Sequence, residues 1–247
     1  APELLLEYNL LDCTVLRKLE EFCGYAHLDF TFSKIGNCFA NDYHISTKID
    51  GLMVRKGLVD GVHFPTVHLD QKEAEAAISF EGAYVHDPVR GVHREVCAFD
   101  FKSLYPSMMG TFNISPDTFV PESRRGEYAP EDLVTNPHGT TFLRPVKTGE
   151  VDDQGRPVWT NVGFIPQMFR ETLERRKTYT DLQKTVEVGS DMFLHYYRLA
   201  YAYKRLGISF YGELGNRRGR FYNPDIGASV TMSGQHFIKG TMAFAEQ

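Results

Sequence analysis

Apolar positions at Leu4, Leu5, Tyr8, Leu11, Val15, Leu16 and Leu19 fall three or four residues apart, which predicts a helix from Glu3 to Tyr25 that ends near Gly24. A second helix is expected from Asn41 to Lys56, stopped by Gly57. From Ile78 to Ser103 the pattern turns to β: Ala83-Tyr84-Val85 and Val92 to Phe99 read as strands joined through Asp87-Pro88-Val89-Arg90-Gly91, a hairpin feeding a strand. Pro116 to Pro157 is rich in Pro, Gly, Asp and Asn, which predicts loops with short strands near Thr141–Arg144 and Val158–Asn161. Pro166 then opens a strongly helical pattern that runs to about Val186, breaks at Val188-Gly189-Ser190 and resumes, with Ser190 or Asp191 as cap, to about Phe210. So short a break makes the pair an antiparallel helical hairpin. A last helix is expected from Asp225 onward.

Composition narrows the class without deciding it. A 42% hydrophobic and 24% charged chain of 247 residues is that of a globular protein with one large or two modest domains. It holds no apolar run of about 18 residues, so no membrane span is expected. The four cysteines are far apart, with no Cys-x-x-Cys pair. Reduced thiols in a cytoplasm (the host's, for a viral protein) fit this spacing better than a disulfide framework or a zinc site. The net charge is −5, yet Gly163 to Arg220 carries eleven Lys/Arg against six Asp/Glu. A basic segment in an acidic body suits phosphate contacts, although charge runs are usually solvated faces.

Candidate chemistry begins at Asp100-Phe101-Lys102-Ser103-Leu104-Tyr105-Pro106-Ser107, directly after an apolar stretch. A helix entry with Ser103 as cap and Pro106 in the first turn explains the serine and the proline. It does not explain an acid at the end of a buried strand, where a lone carboxylate is costly unless paired or metal-bound. Further along, offsets of four and seven place Lys204, Ile208 and Tyr211 on one helical face. Alone, this face is an amphipathic helix with Tyr201, Ile208 and Tyr211 in a core and Lys204 extending to water. Arg175-Arg176-Lys177 is, alone, a solvated basic face.

Together these segments resemble the family B DNA polymerases. Asp-x-x-Ser-Leu-Tyr-Pro-Ser is similar to their motif A at every fixed position. The resemblance implies that Asp100 and the backbone carbonyl of Phe101 bind catalytic Mg2+, that amides near Ser103 and Leu104 cradle a triphosphate, and that Tyr105 lies beneath the deoxyribose. Lys204-x-x-x-Ile208-Ser209-x-Tyr211-Gly212 resembles motif B, with Ile208 where the family has Asn. By position, Arg176, with Arg175 as alternative, joins Lys204 in gripping the triphosphate. Phe80-Glu81-Gly82-Ala83-Tyr84-Val85 resembles the Tyr-x-Gly-Gly/Ala loop that touches the template. This makes Phe80, Gly82 and Ala83 candidates for DNA contact, with Tyr211, Gly212 and Arg217. Tyr8-x-x-x-Asp12 resembles the third exonuclease motif of DEDD-type nucleases, which makes Asp12 a metal ligand there. Asn113-Ile114-Ser115-Pro116-Asp117-Thr118 resembles the phage-type members.

The implied architecture is α+β, an internal piece of a right-hand polymerase. Residues 1–30 would end a 3′-5′ exonuclease domain and 31–75 form a helical linker supporting the palm. Residues 76–162 and 213–247 would be two parts of the palm, with 163–212 as helical-hairpin fingers between them. The implied activity is DNA-templated DNA polymerisation by two-metal phosphoryl transfer, with an associated exonuclease. Implied partners are primer-template DNA, deoxynucleoside triphosphates and a sliding clamp. The family's second aspartate lies in a Tyr-x-Asp-Thr-Asp motif that this sequence lacks, so each site is expected to be half present and the isolated chain inactive. The alternative is a catalytically silent module that binds nucleotide or nucleic acid. A stand-alone nuclease on Asp12 is disfavoured because its other carboxylates are missing.

Overall fold

The computed structural model describes residues 2–39, 41–42, 44–64, 80–153 and 155–245. Helices α1 (Pro2–Cys23) and α2 (Tyr25–Gly36) meet at Gly24, whose left-handed φ of 65° turns the chain. The apolar stripe of α1 forms the expected helix, but none of its residues is buried. Helix α3 (Ile45–Val59) runs past the expected stop at Gly57. That glycine is a packing contact: a Cβ there would lie 2.0 Å from the Phe64 ring. Phe64 in turn packs against Phe164 and Phe221, with ring centroids 5.2 and 4.9 Å away.

The β-hairpin expected across 83–99 is absent among the described residues, and that stretch runs irregularly to helix α4 (Leu104–Thr111). Val85, Val92, Val96 and Phe99 are all exposed. Their alternation meets neither a partner strand nor a covering layer, and an isolated hairpin is marginal in water. After α4 come β1 (Phe119–Val120), β2 (Leu133–Thr135) and β3 (Thr141–Leu143), an antiparallel sheet in the order β1-β3-β2. Strands β4 (Val146–Val151) and β5 (Pro157–Thr160) form a separate antiparallel pair. Two short 3-10 turns, at Glu122–Glu127 and Pro130–Asp132, link β1 to β2.

Helices α5 (Phe164–Gln183) and α6 (Asp191–Leu214) form the expected antiparallel hairpin, and Ser190 caps α6 by accepting the Phe193 amide at 3.2 Å. Pro166 sits in the first turn of α5, where its missing N–H costs nothing. Helix α6 continues one turn beyond Phe210, carrying Tyr211 and Gly212 within it. Helix α7 (Pro224–Ala245) is the last of the described elements.

The core lies where the root of the hairpin meets α3, α4 and α7. Met53, Met109, Ile165, Leu206, Phe210, Leu214 and Val230 are fully buried there. Asn113, at φ 54°, fixes the root. Its Nδ2 donates to the Leu143 and Asn161 carbonyls at 2.8 and 2.7 Å, and its Oδ1 accepts the Gly163 amide at 2.9 Å. Ser115 and Asp117 accept the next two amides, Ile165 and Phe164, so the start of α5 is capped by a segment some fifty residues earlier.

Candidate nucleotide-binding cleft

The end of α4 and the inner faces of α5 and α6 enclose a cleft of about 330 Å³. Helix α4 contributes its N-terminus. Ser103 precedes it in the left-handed region (φ 55°, ψ 48°), and its hydroxyl does not cap, contrary to the expected side-chain cap. As the first residues of the helix, Leu104 and Tyr105 carry amides with no intrahelical acceptor. Such a turn at a helix start gathers donors that suit an anion.

Across the cleft, Arg176 on α5 and Lys204 on α6 both line the wall, and among the described residues no carboxylate lines it. Neither cation forms an ion pair among the described residues. Arg175, the alternative to Arg176, points elsewhere and lines a separate hollow behind the hairpin. The helices come close because Gly207 faces Phe169, where a Cβ would meet the ring at 3.0 Å. Ile208 is 56% exposed and lines the cleft, while Tyr201 is also exposed, so this face of α6 is not the core face of a plain amphipathic helix.

Tyr105 forms part of the floor. Its ring packs edge-on against Tyr211 with centroids 4.8 Å apart. It also lies against α7, where a Cβ on Gly234 would meet it at 3.2 Å. Burial raises the pKa of Tyr105. Burial, and then the neighbouring Tyr105, push Tyr211 up to about 12, so both phenols stay neutral.

Asp100 does not share this lining. It is exposed, follows no strand, and borders a second hollow of about 390 Å³ with Phe101, Leu104 and residues of α7. The burial cost inferred for an acid at a strand end therefore does not apply in this structure. A carboxylate and the Phe101 carbonyl are oxygen donors of the type Mg2+ takes, and that ion commonly completes its shell with water and substrate phosphates. Among the described residues no group of three or more His, Cys, Asp or Glu is arranged to hold a metal. Tyr8 and Asp12 lie on exposed α1, apart from the cleft.

The Phe80-Glu81-Gly82 loop docks on α7. Thr231 Oγ1 donates to the Glu81 carbonyl at 2.8 Å, and buried Gln235 donates to the Gly82 carbonyl at 2.9 Å. The Phe80 ring fills the space over Gly227, where a Cβ would lie 2.5 Å from it. Lys239 Nζ sits 4.9 Å from the Tyr84 ring centroid. Thr231, Gln235 and Lys239 recur every four residues on one face of α7; the recurrence was visible in the sequence, but its partner loop was not. Arg217 lies in the turn after α6, and Gly212 is exposed on the helix.

The profile of DNA polymerase family B matches residues 39–247. The chain is 28% identical over 231 residues to the DNA polymerase of Thermococcus gorgonarius, covering 93% of this chain and 26% of that protein. It is 32% identical over 172 residues to the DNA polymerase of Archaeoglobus fulgidus, covering 70% and 19%. To the DNA polymerase delta catalytic subunit of Oryza sativa it is 29% identical over 205 residues, covering 81% and 17%. The solved structure of the family B DNA polymerase from Pyrobaculum calidifontis superposes with a TM-score of 0.71 at 21% identity, over 94% of this chain and 28% of that one, and so shares its fold. The chain belongs to DNA polymerase family B. It spans about a quarter or less of the length of these curated relatives.

Proposed function

We propose that the cleft holds the incoming deoxynucleoside triphosphate of DNA-templated DNA polymerisation. The observation that carries this is the convergence of Arg176, Lys204 and the N-terminus of α4 on one cleft with no carboxylate in its lining among the described residues. A planar guanidinium fork and a mobile ammonium facing a helix N-terminus suit a polyphosphate. Tyr105 supports the sugar from below, and its rigid ring leaves no space for a 2′-hydroxyl. In this reading α5 and α6 are the fingers, and residues 76–162 and 213–247 belong to the palm. The docked Phe80 loop, with Gly82, Ala83, Tyr211, Gly212 and Arg217, is the region offered to primer-template DNA.

Asp100 and the Phe101 carbonyl would hold Mg2+ beside the triphosphate. Bound there, the ion would offset negative charge on the phosphates. Arg176 and Lys204 orient the chain of phosphates, and Tyr105 with Tyr211 fixes the plane on which the sugar rests. With a single carboxylate from this segment, the 247-residue chain is expected to bind nucleotide without extending a primer. Tyr8 and Asp12, four apart on exposed α1, are the residues that would contribute to an exonuclease site.

Calorimetric titration of the chain with dATP tests the central assignment. Lys204→Ala and Arg176→Ala should each weaken binding by about 2–5 kcal/mol, the scale for truncating a charge that contacts a desolvated partner. Unchanged affinity in both variants would return these residues to a solvated face.

A further inference from the structure

The two helices of the hairpin are held by different means along their length. At the root both join the core: Met168, Phe169 and Thr172 of α5 are buried, and so are Leu206, Gly207 and Phe210 of α6. Beyond Thr172 on α5, and before Ala200 on α6, neither helix buries a residue. Lys204 therefore stands on the part of α6 that the core holds. Arg176 lies a full turn past the last residue of α5 that it holds.

Further out, a stack of rings joins the helices. Tyr179 of α5 lies against Tyr203 of α6, with centroids 5.7 Å apart and planes at 17°. Tyr196, two turns earlier on α6, also stacks on Tyr179, at 6.4 Å and 26°. The three hydroxyls make no hydrogen bond among the described residues, so ring faces make the contact. Burial and then Tyr179 raise the pKa of Tyr203 against the opposing effect of Arg175, so this phenol stays neutral. Tyr179 follows Arg176 by three residues, and Tyr203 adjoins Lys204. Tyr203 lines the cleft with the two cations, whereas Tyr179 and Tyr196 do not.

We propose that the Tyr179–Tyr203 stack sets the placement of Arg176 against Lys204, which makes both tyrosines positioning residues for the nucleotide. The inference rests on the reading of the cleft as a triphosphate site. Two points fix the angle between the helices. One is the root, where Gly207 admits the Phe169 ring; the other is the stack, ten residues or about 15 Å further along α5. Arg176 lies between these points. A polyphosphate that spans both cations depends on their separation, because a planar guanidinium makes paired bonds in few orientations. Offset ring pairs resist both spreading and sliding of the helices that carry them.

Calorimetric titration of variant chains with dATP tests the proposal. Tyr179→Ala removes the stack at a residue outside the cleft lining, so lost affinity cannot be a lost ligand contact. Alanine favours the helix, and the position lies outside the core, so the melting transition should persist. Tyr179→Ala should bind dATP about tenfold more weakly, and Tyr179→Phe should keep the parental affinity. In a Lys204→Ala chain, Tyr179→Ala should cost less than about twofold further, since no second cation is left to be placed. A merely structural loss would instead add in full. If Tyr179→Ala loses its melting transition, Tyr196→Ala replaces it, with at least about a threefold loss and the same dependence on Lys204. Parental dATP affinity in the folded alanine variant, a loss in Tyr179→Phe, or an equal loss with and without Lys204 would overturn the proposal. Failure of the cleft reading shows separately, as parental affinity in Arg176→Ala and Lys204→Ala themselves, and would remove any nucleotide role from the stack.

Discussion

Replacing Asn113 should loosen the root of the helical hairpin more than its position in a connecting segment suggests. The side chain is 1% exposed and makes three hydrogen bonds, to Leu143, Asn161 and Gly163, so alanine strands three backbone groups away from water. At about 1 kcal/mol net per bond the loss is about 3 kcal/mol. Asn113 also sits at φ 54°, where a residue with a Cβ and no local side-chain hydrogen bond costs roughly 1–2 kcal/mol more. Asn113→Ala should therefore lose about 4–5 kcal/mol and Asn113→Gly about 3 kcal/mol, since glycine avoids the conformational penalty. Both are large beside a typical total stability of roughly 5–15 kcal/mol. Urea unfolding followed by the fluorescence of Trp159, the single tryptophan and two residues from Asn161, reads both variants. Arg176 lies twelve residues, about 18 Å, along α5 from Phe164, so the same variants should weaken dATP binding at urea concentrations below the unfolding transition. A loss below about 1 kcal/mol in both variants would refute the clamp, and equal losses would refute the conformational part.

Three other outcomes follow from named contacts. Burial first, and then Asp50, raise Glu213 from 4.5 to about 7, against the opposing effects of Asn216 and Arg220. The folded chain then keeps a proton that the unfolded chain releases, so stability should fall by about 3 kcal/mol as pH rises from about 4.5 to 7, and Glu213→Gln should flatten that part of a pH series of melting curves. Tyr105→Ala should narrow the preference for dATP over ATP by on the order of tenfold in competition titrations, while Tyr105→Phe keeps it, because the ring is the barrier; an unchanged ratio in the alanine variant would place the sugar elsewhere. Gly227→Ala drives a methyl to within 2.5 Å of the Phe80 ring and should expel the 80–82 loop from α7, seen as faster amide exchange at Glu81 and Gly82; parental protection would show that the ring moves freely.

The helical hairpin is legible in the sequence because its pattern is local: apolar spacing, Pro166 at one start and Ser190 at the other set α5 and α6 within a few residues. Arg176, Lys204 and Tyr105 are named only through the resemblance of their short segments to the family, and the structure brings all three to one cleft. Long-range choices are not legible. Gly57 looks like a helix stop because nothing in the sequence says that Phe64 will lie across it. Residues 83–99 alternate like strands, yet alternation states only which face would be buried and not what covers it. Asp100 is misplaced by the same error, because its expected burial rests on that strand. Arg175 and Arg176 are equivalent in the sequence; the facing of α5 against α6 separates them, one into each hollow.

The most direct test of the nucleotide assignment is a crystal structure of the chain soaked with dATP and Mg2+. The phosphates should lie between Arg176, Lys204 and the α4 amides, with the sugar over the Tyr105 ring. Nucleotide density found only in the hollow behind the hairpin, or against α1, would contradict the account.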